Sequence, residues 1–560
     1  MENKTIARTL RFLSQLMELH SENPFKVKSM ANAAFKVDKL PFPIADKSLS
    51  EIEQIEGLGK STAAKVWEFI HQNSITELNK LLETTPAGIV EMLQIKGIGP
   101  KKIGVIWKDL GIENTGELYY ACNENRLIEA KGFGLKTQEE IITILEFKMA
   151  SSGRYLYARV EQFAENLIEF LKTNIKTPEL SFAGDYRRKC EIIDGLDILC
   201  GTEINKEIIS QIELAGLTVT KNTDERLETT NAEGINVYFY FCADNEFGWQ
   251  LVEKTGNAEH VNNLRDLLGD APLTSKTESE IYTLAGLPFI EPELRENSNE
   301  FEKAKTNSLP RLITFSDLKG SVHNHSNWSD GVNSLEEMAL FCRDDLKMQY
   351  LGICDHSKSA FYAKGLNEIR VAAQHREIDQ LNKTLAPFHI FKGIESDILY
   401  NGSLDYDEDI LKTFDFVVAS VHSILKMNKE KATQRLITAI ENPYTTILGH
   451  PTGRMLLARS GYPIDHKKII DACAANEVVI EINANPLRLD LDWRWHQYAI
   501  ERGVMLSVNP DAHRITGLMD MHYGILVARK GGVSAANCLN AMDSEEIRKY
   551  FLNKKPVNIS

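Results

Sequence analysis

The chain has 560 residues, 43% hydrophobic and 26% charged, with a formal net charge of −15 at pH 7. That length predicts roughly three to four domains with sizeable cores, and the ordinary composition excludes a disordered chain; the acidic balance excludes nucleic-acid binding over the whole surface, but not a local basic groove. No stretch reaches the apolar length of a membrane span, MENKTIARTL lacks a signal-peptide core, and the 8 cysteines show no CxxC spacing, so we expect a cytoplasmic protein without membrane contact whose cysteines are reduced core thiols.

From Thr5 to His20, the residues Ile6, Leu10, Leu13 and Met17 recur at helical spacing, which predicts an amphipathic helix packed into a core. Three short repeats follow: IEGLGKS with Gly57, Gly59 and Lys60, IKGIGPKK with Gly97, Gly99 and Lys101, and AKGFGLK with Gly132, Gly134 and Lys136. Each lies between helical stretches. In a helix-hairpin-helix, paired glycines permit a tight turn whose N–H groups, at the start of the second helix, meet a DNA phosphate. A single GxG between helices is more often a plain turn, but three in about eighty residues point to DNA held by its backbone, without regard to sequence. Residues 1–80 are expected to form a helical domain with the first hairpin, and 81–150 a fingers-like hairpin region.

Further on, FAGDYRRKCEIIDGLDILCG and GINVYFYFC read as strand-bearing segments, in which Arg187 and Arg188 can meet phosphate or simply be solvated. ELRENSNEFEKAKTNS is charged and poor in apolar residues, and is expected to be a linker or exposed helix that lets the C-terminal part fold as its own unit.

Between Asp317 and His513, seven apolar segments each end in residues able to bind a metal: GSVHNHS, YLGICDH, HIFKGIESD, FVVASVHS, TTILGHP, VVIEINANP and MLSVNPDAH. Each is followed by a helix-like stretch, the alternation expected of parallel strands with crossover helices. If the strands close into a barrel, these ends share the rim where such barrels place their chemistry. The ligand types are His, Asp and Glu without Cys, which favours Zn, Mn or Fe in an open hydrolytic site. They are too many for one ion, so a cluster of two or three divalent metals and phosphoester hydrolysis are expected.

These motifs, with the trailing WSDG and the sequence GHPTGR, resemble the polymerase and histidinol phosphatase (PHP) domain over about the last 245 residues. The resemblance implies metal ligation by His323, His325, Asp330, His356, Glu395, His422, His450, Asp511 and His513 in a distorted (β/α)7 barrel at 313–560. Asp355 is expected to orient a liganding imidazole, and Arg454, with Lys358 and Lys364, to meet phosphate. The front of the chain resembles bacterial family X DNA polymerases, with a palm-like region at 151–255 and a thumb-like region and linker at 256–312. The whole is a multidomain α+β and α/β protein.

A family X palm needs three carboxylates for two Mg²⁺ ions, two of them one residue apart on a strand. Asp197 matches the second, but Gly195 stands at the first position, Asn236 at the third, and Asp194 falls on the opposite face of a regular strand. Asp185 replaces the serine that cradles the nucleotide phosphates, and Glu253 and Lys254 replace the aromatic pair under the sugar. Mg²⁺ is therefore expected to bind poorly in the palm. The resemblance implies a 3′-5′ exonuclease of DNA repair, expected as a monomer on gapped, nicked or 3′ ends, and the departures from the palm pattern imply that polymerase activity is lost or very weak. An active gap-filling polymerase with a proofreading barrel, a small-molecule phosphatase of the histidinol phosphatase type and a noncatalytic DNA-binding scaffold are the alternatives.

Overall fold

The computed structural model describes all residues except 94, 96, 129, 151–152, 176–178, 224–225 and 556–560, and the counts below are of the described residues. Contacts divide the chain into two compact units, Met1–Leu145 and Glu146–Ser560. Among the described residues no helix is long and apolar enough to cross a membrane, and no cysteine is bonded to another.

The first unit is helical. Its opening helix, Asn3–Leu19, buries Ile6, Leu10, Leu13 and Met17 as the periodicity predicts. The first glycine of each repeat has positive φ, +90° at Gly57, +94° at Gly97 and +90° at Gly132, a conformation that a side chain would strain. The second glycine stands directly before a helix, with Gly59 ahead of Lys60–Gln72, Gly99 ahead of Pro100–Gly104 and Gly134 ahead of Leu135–Ala150. Lys60, Lys101 and Lys136 are exposed on these first turns.

The second unit begins with a short antiparallel pair, β1 (Tyr155–Leu156) and β3 (Ile192–Ile193). Between and after them come β2 (Leu180–Ala183), β4 (Leu196–Cys200), β5 (Thr218–Asn222), β6 (Leu227–Thr230) and β7 (Asn236–Phe241), in a sheet of order β2-β4-β7-β6-β5. Only β4 and β7 pair in parallel. Alternation sends Leu196, Ile198, Val237 and Phe239 into a core shared with helix Tyr157–Asn174. Asp197, Asn236, Tyr238 and Tyr240 are left for the opposite face. Helices Phe247–Thr255, Ala258–Leu268 and Glu278–Leu284 pack around Trp249, Val252, Leu264 and Ile281.

Seven parallel strands then follow in sequential order: β8 (Gly320–Ser321), β9 (Tyr350–Ile353), β10 (His389–Asp397), β11 (Phe416–Ser420), β12 (Ile447–Leu448), β13 (Val479–Asn483) and β14 (Leu506–Asn509). The segments beyond β8 and β14 meet through an Asn324–Ala512 bridge and an Asp511 N to His323 O bond of 3.1 Å, which nearly closes the (β/α)7 barrel at the strands' C-terminal ends. Helices cover the outer faces, so the strands are buried on both sides and read as apolar runs. Phe416 fills the interior: a Cβ on Gly352 or Gly393 would lie 2.7 or 2.4 Å from its Cζ.

The charged stretch 293–308 is not an exposed linker. Arg295 is fully buried, Glu293 and Glu300 nearly so, and Phe301 and Ala304 join the neighbouring core. The charges are buried because they are paired. Arg295 Nη1 donates to Glu278 at 2.5 Å, Glu300 meets His260 at 2.8 Å, and Glu293 accepts from Arg529 Nε at 2.8 Å. Glu296 accepts from Arg188 at 2.8 Å and also pairs with Lys530. Arg529 and Lys530 end the barrel helix Met521–Lys530, so the barrel is tied to the palm-like sheet instead of folding apart from it.

Candidate metal centre

Barrel closure brings the strand ends to one rim. His323 and His325 follow β8, His356 follows β9, Glu395 lies within β10, His422 follows β11, His450 follows β12, and Asp511 and His513 follow β14; the loop after His325 returns Asp330. Glu395 is central. Its Oε1 lies 3.3 Å from His323 Nε2, 3.1 Å from His422 Nε2 and 3.0 Å from His450 Nε2, while Oε2 lies 2.9 Å from His356 Nδ1. Asp511 Oδ1 is 3.0 Å from His325 Nε2, and Asp330 reaches His513 at 3.4 Å and His356 at 3.6 Å.

Three overlapping groups can each hold an ion: His325, Asp330, His356 and His513; His323, His325 and Asp511; His356, Glu395 and His422. His450 stands beside Glu395, outside these groups. His323 Nε2, Asp330 Oδ2, His356 Nε2 and Glu395 Oε2 are buried without a hydrogen-bond partner. Such atoms are costly in an apolar interior unless something coordinates them. Burial, with His513 and His356 alongside, lowers the His325 pKa to about 3, leaving a neutral imidazole with a lone pair to give. The donors fit divalent ions of the zinc, manganese or iron kind.

Two carboxylates behind the rim orient the imidazoles. Glu481 meets His323 Nδ1 at 2.6 Å and accepts from His450 N at 2.8 Å and Asn509 Nδ2 at 3.1 Å, and Asp397 pairs with His422 Nδ1. Each fixes the tautomer that turns Nε2 toward the centre. Sequence reasoning passed over both, although Asp397 lies two residues after Glu395 on the same face of β10. Glu481→Gln is expected to lower divalent-metal affinity about 10- to 100-fold with the fold intact. A change within about twofold in metal titrations overturns this role.

Asp355 does something other than expected. It touches no imidazole. It accepts from Ser326 N at 2.9 Å, Ser326 Oγ at 2.7 Å, Ser329 N at 3.1 Å and Gln374 Nε2 at 2.5 Å, and so fixes the loop that carries Asp330. Arg454 also departs from expectation. Its guanidinium meets Asp492 at 2.6 Å, Glu191 at 3.2 Å and the Arg488 carbonyl at 2.9 Å, joining the barrel to the palm-like sheet instead of facing a phosphate beside His450. Lys358 pairs with Glu368 at 2.8 Å.

In the palm-like region, Asp194 is 77% exposed and lies 3.8 Å from Arg154. Gly195 has no room for a carboxylate, since a Cβ there would lie 2.9 Å from both the Asn236 carbonyl and Tyr238 Cε2. Burial pushes the Asp197 carboxyl up to about 6, even with Tyr240 OH donating to it at 3.1 Å. Arg226 lies 4.3 Å from the Tyr238 ring centre and donates to Tyr240 OH at 3.3 Å, and Lys254 lies 5.0 Å from the Tyr240 ring centre. Arg187 is held by Glu278 through bonds of 2.7 and 2.5 Å, while Arg188 pairs with Asp185 and Glu296. The arginines expected at a phosphate are engaged within the protein.

Residues 1–75 match the helix-hairpin-helix domain family, and residues 89–146 the SAM-like helix-hairpin-helix tandem. Over 574 aligned residues, 98% of this chain and 99% of the relative, the sequence is 33% identical to the DNA polymerase/3′-5′ exonuclease PolX of Bacillus subtilis. A shorter part is similar to probable phosphatases. In Caldicellulosiruptor bescii the identity is 37%, covering 35% of this chain and 80% of the relative. In a Thermoanaerobacter species it is 32%, covering 30% and 69%.

Proposed function

The chain belongs to the PolX family of DNA polymerase/3′-5′ exonucleases, and within that family we propose that it is a DNA-binding, metal-dependent 3′-5′ exonuclease of DNA repair whose polymerase activity is lost or very weak. The observation that carries the reading is the rim itself. Imidazoles and carboxylates from strands far apart in sequence converge there with buried donor atoms that no hydrogen bond satisfies.

Two or three divalent ions held by His323, His325, Asp330, His356, Glu395, His422, His450, Asp511 and His513 would supply activation of a water near neutrality and charge neutralisation on a phosphodiester. The chain's own residues prepare the site. Glu481 and Asp397 hold His323 and His422 in the liganding tautomer, and Asp355 fixes the Ser326–Ser329 loop and with it Asp330. The buried walls of the rim limit solvent, which strengthens each electrostatic contact with the phosphate.

The hairpins hold DNA through the turns at Gly57, Gly97 and Gly132, and the substrates are gapped, nicked or 3′ ends, handled by a monomer. In the palm, a neutral amide, a glycine and a carboxyl of raised pKa, under a layer of Tyr238, Tyr240 and Arg226, make a poor Mg²⁺ site.

The test is one denaturing gel of a 5′-labelled primer on a template, with the protein, Mn²⁺, Mg²⁺ and four nucleotides. A ladder of shorter bands is the expected result. Longer bands would mean that the palm still polymerises. Similarity to probable phosphatases favours a second reading, a small-molecule phosphoesterase. Release of phosphate from free monoesters with the DNA left intact would establish it in place of the exonuclease.

A further inference from the structure

Phe361 and Tyr362 stand on the loop that leaves the barrel at the ligand His356, in a single turn of 3-10 helix, Phe361–Ala363. Phe361 is 88% exposed. The Tyr362 ring lies 6.1 Å from that of His356. This loop is no loose tip. Leu366 N donates to His356 O at 2.8 Å, returning the loop to the ligand from which it starts, and Gly365 N donates to Ala360 O at 3.0 Å. A Cβ on Gly365 would fall 1.9 Å from Ser357 O, so the closing pass admits no side chain. Ser359 bonds Asp405 at 2.6 Å and Asp397 at 2.8 Å, the same Asp397 that orients His422. Arg370 donates to the carbonyls of Lys364 and Trp328, tying this loop to the one that carries Asp330.

The loop backbone is thus tied down on both sides, with Tyr362 beside the ligand His356 and the adjacent Phe361 left in water. The hydrophobic effect opposes that placement, and the ring packs no core. An exposed aromatic on such a loop beside a phosphoester site has the chemistry of a stacking platform, which accepts the flat face of any base.

We infer that Phe361, next to Tyr362 on this loop, stacks on the nucleobase of the terminal nucleotide whose phosphodiester lies at the metal centre. The inference rests on the exonuclease reading and deepens it: the centre recognises the phosphate, and the ring recognises the base as a π surface without regard to its identity.

The experiment uses the full-length, metal-loaded protein and a single-stranded oligonucleotide ending in 5-iododeoxyuridine, with the last linkage a phosphorothioate to slow hydrolysis. After irradiation, the crosslinked peptide is expected to contain Phe361 and Tyr362. With an ordinary oligonucleotide, Phe361→Ala is expected to raise KM about tenfold with kcat little changed, and Phe361→Trp to restore it. On an oligonucleotide ending in an abasic residue, wild type and Phe361→Ala are expected to share one KM, because no base remains to stack. Crosslinks only elsewhere, an unchanged KM, or an equal loss on the abasic end would each overturn the inference, the last two pointing to a partner protein or a purely structural role for the ring. Crosslinking at this loop without any shortening of DNA would sink the exonuclease reading and leave the stacking standing. Shortening with crosslinks only elsewhere would do the reverse.

Discussion

Replacing His323 and His325 together by alanine is expected to abolish shortening of the labelled primer, by about 10³-fold or more, because a metal cluster supplies both the activated water and most of the charge stabilisation in such a reaction. Two of the three candidate ion groups contain His325, and one contains both residues. Metal analysis of the purified wild-type protein is expected to find more than one tightly bound transition ion per chain, and fewer in the double variant. The hairpins lie in the first unit, so DNA binding by gel shift is expected to survive. An unchanged metal count would remove the cluster assignment, and an unchanged rate would place the chemistry elsewhere.

Arg295→Met is expected to destabilise the Glu146–Ser560 unit by about 3–5 kcal/mol, the cost of breaking a buried ion pair from one side. Arg295 is fully buried, bonds Glu278 at 2.5 Å and the Ile290 carbonyl at 3.0 Å, and lies 5.2 Å from the ring centres of Tyr282 and Phe289. Removing it leaves Glu278 buried with Arg187 alone. Burial by itself would raise the Glu278 pKa, but the guanidinium groups of Arg187 and Arg295 hold it below its ordinary 4.5. A depressed carboxyl contributes stability that is present above the unfolded value and lost as the pH falls through the folded one. Resistance of the wild type to urea should therefore fall below about pH 4.5, and the variant should show a shallower acid dependence. A loss under about 1 kcal/mol at pH 7 would mean that the pair does not bear on stability.

The barrel and the side chains that gather at its rim were readable from the chain alone because both signals are local. Each strand is a short apolar run, and each ligand is a His, Asp or Glu directly at its end, as in GHP with His450 and NPDAH with Asp511 and His513. The glycine turns were readable for the same reason, since Gly57, Gly97 and Gly132 each needed only their neighbours to declare a positive φ. The residue types at Gly195 and Asn236, which depart from the carboxylates of the family X pattern, were equally visible. What else lies on that face of the sheet was not, because Arg226 reaches Tyr238 and Tyr240 only after β6 pairs with β7.

Residue types at strand ends thus determined that imidazoles and carboxylates gather at one rim, and repeated glycines that tight turns precede three helices of the first unit. Tertiary structure decided which charges face which. Glu481, not Asp355, orients an imidazole, across 158 residues of sequence from His323. Arg454 meets Glu191 across 263 residues, and the apparent linker at 293–308 became an internal row of ion pairs. Burial stabilises a charge only through a partner in space, and no local pattern of residues specifies a partner that barrel closure brings from the far end of the chain.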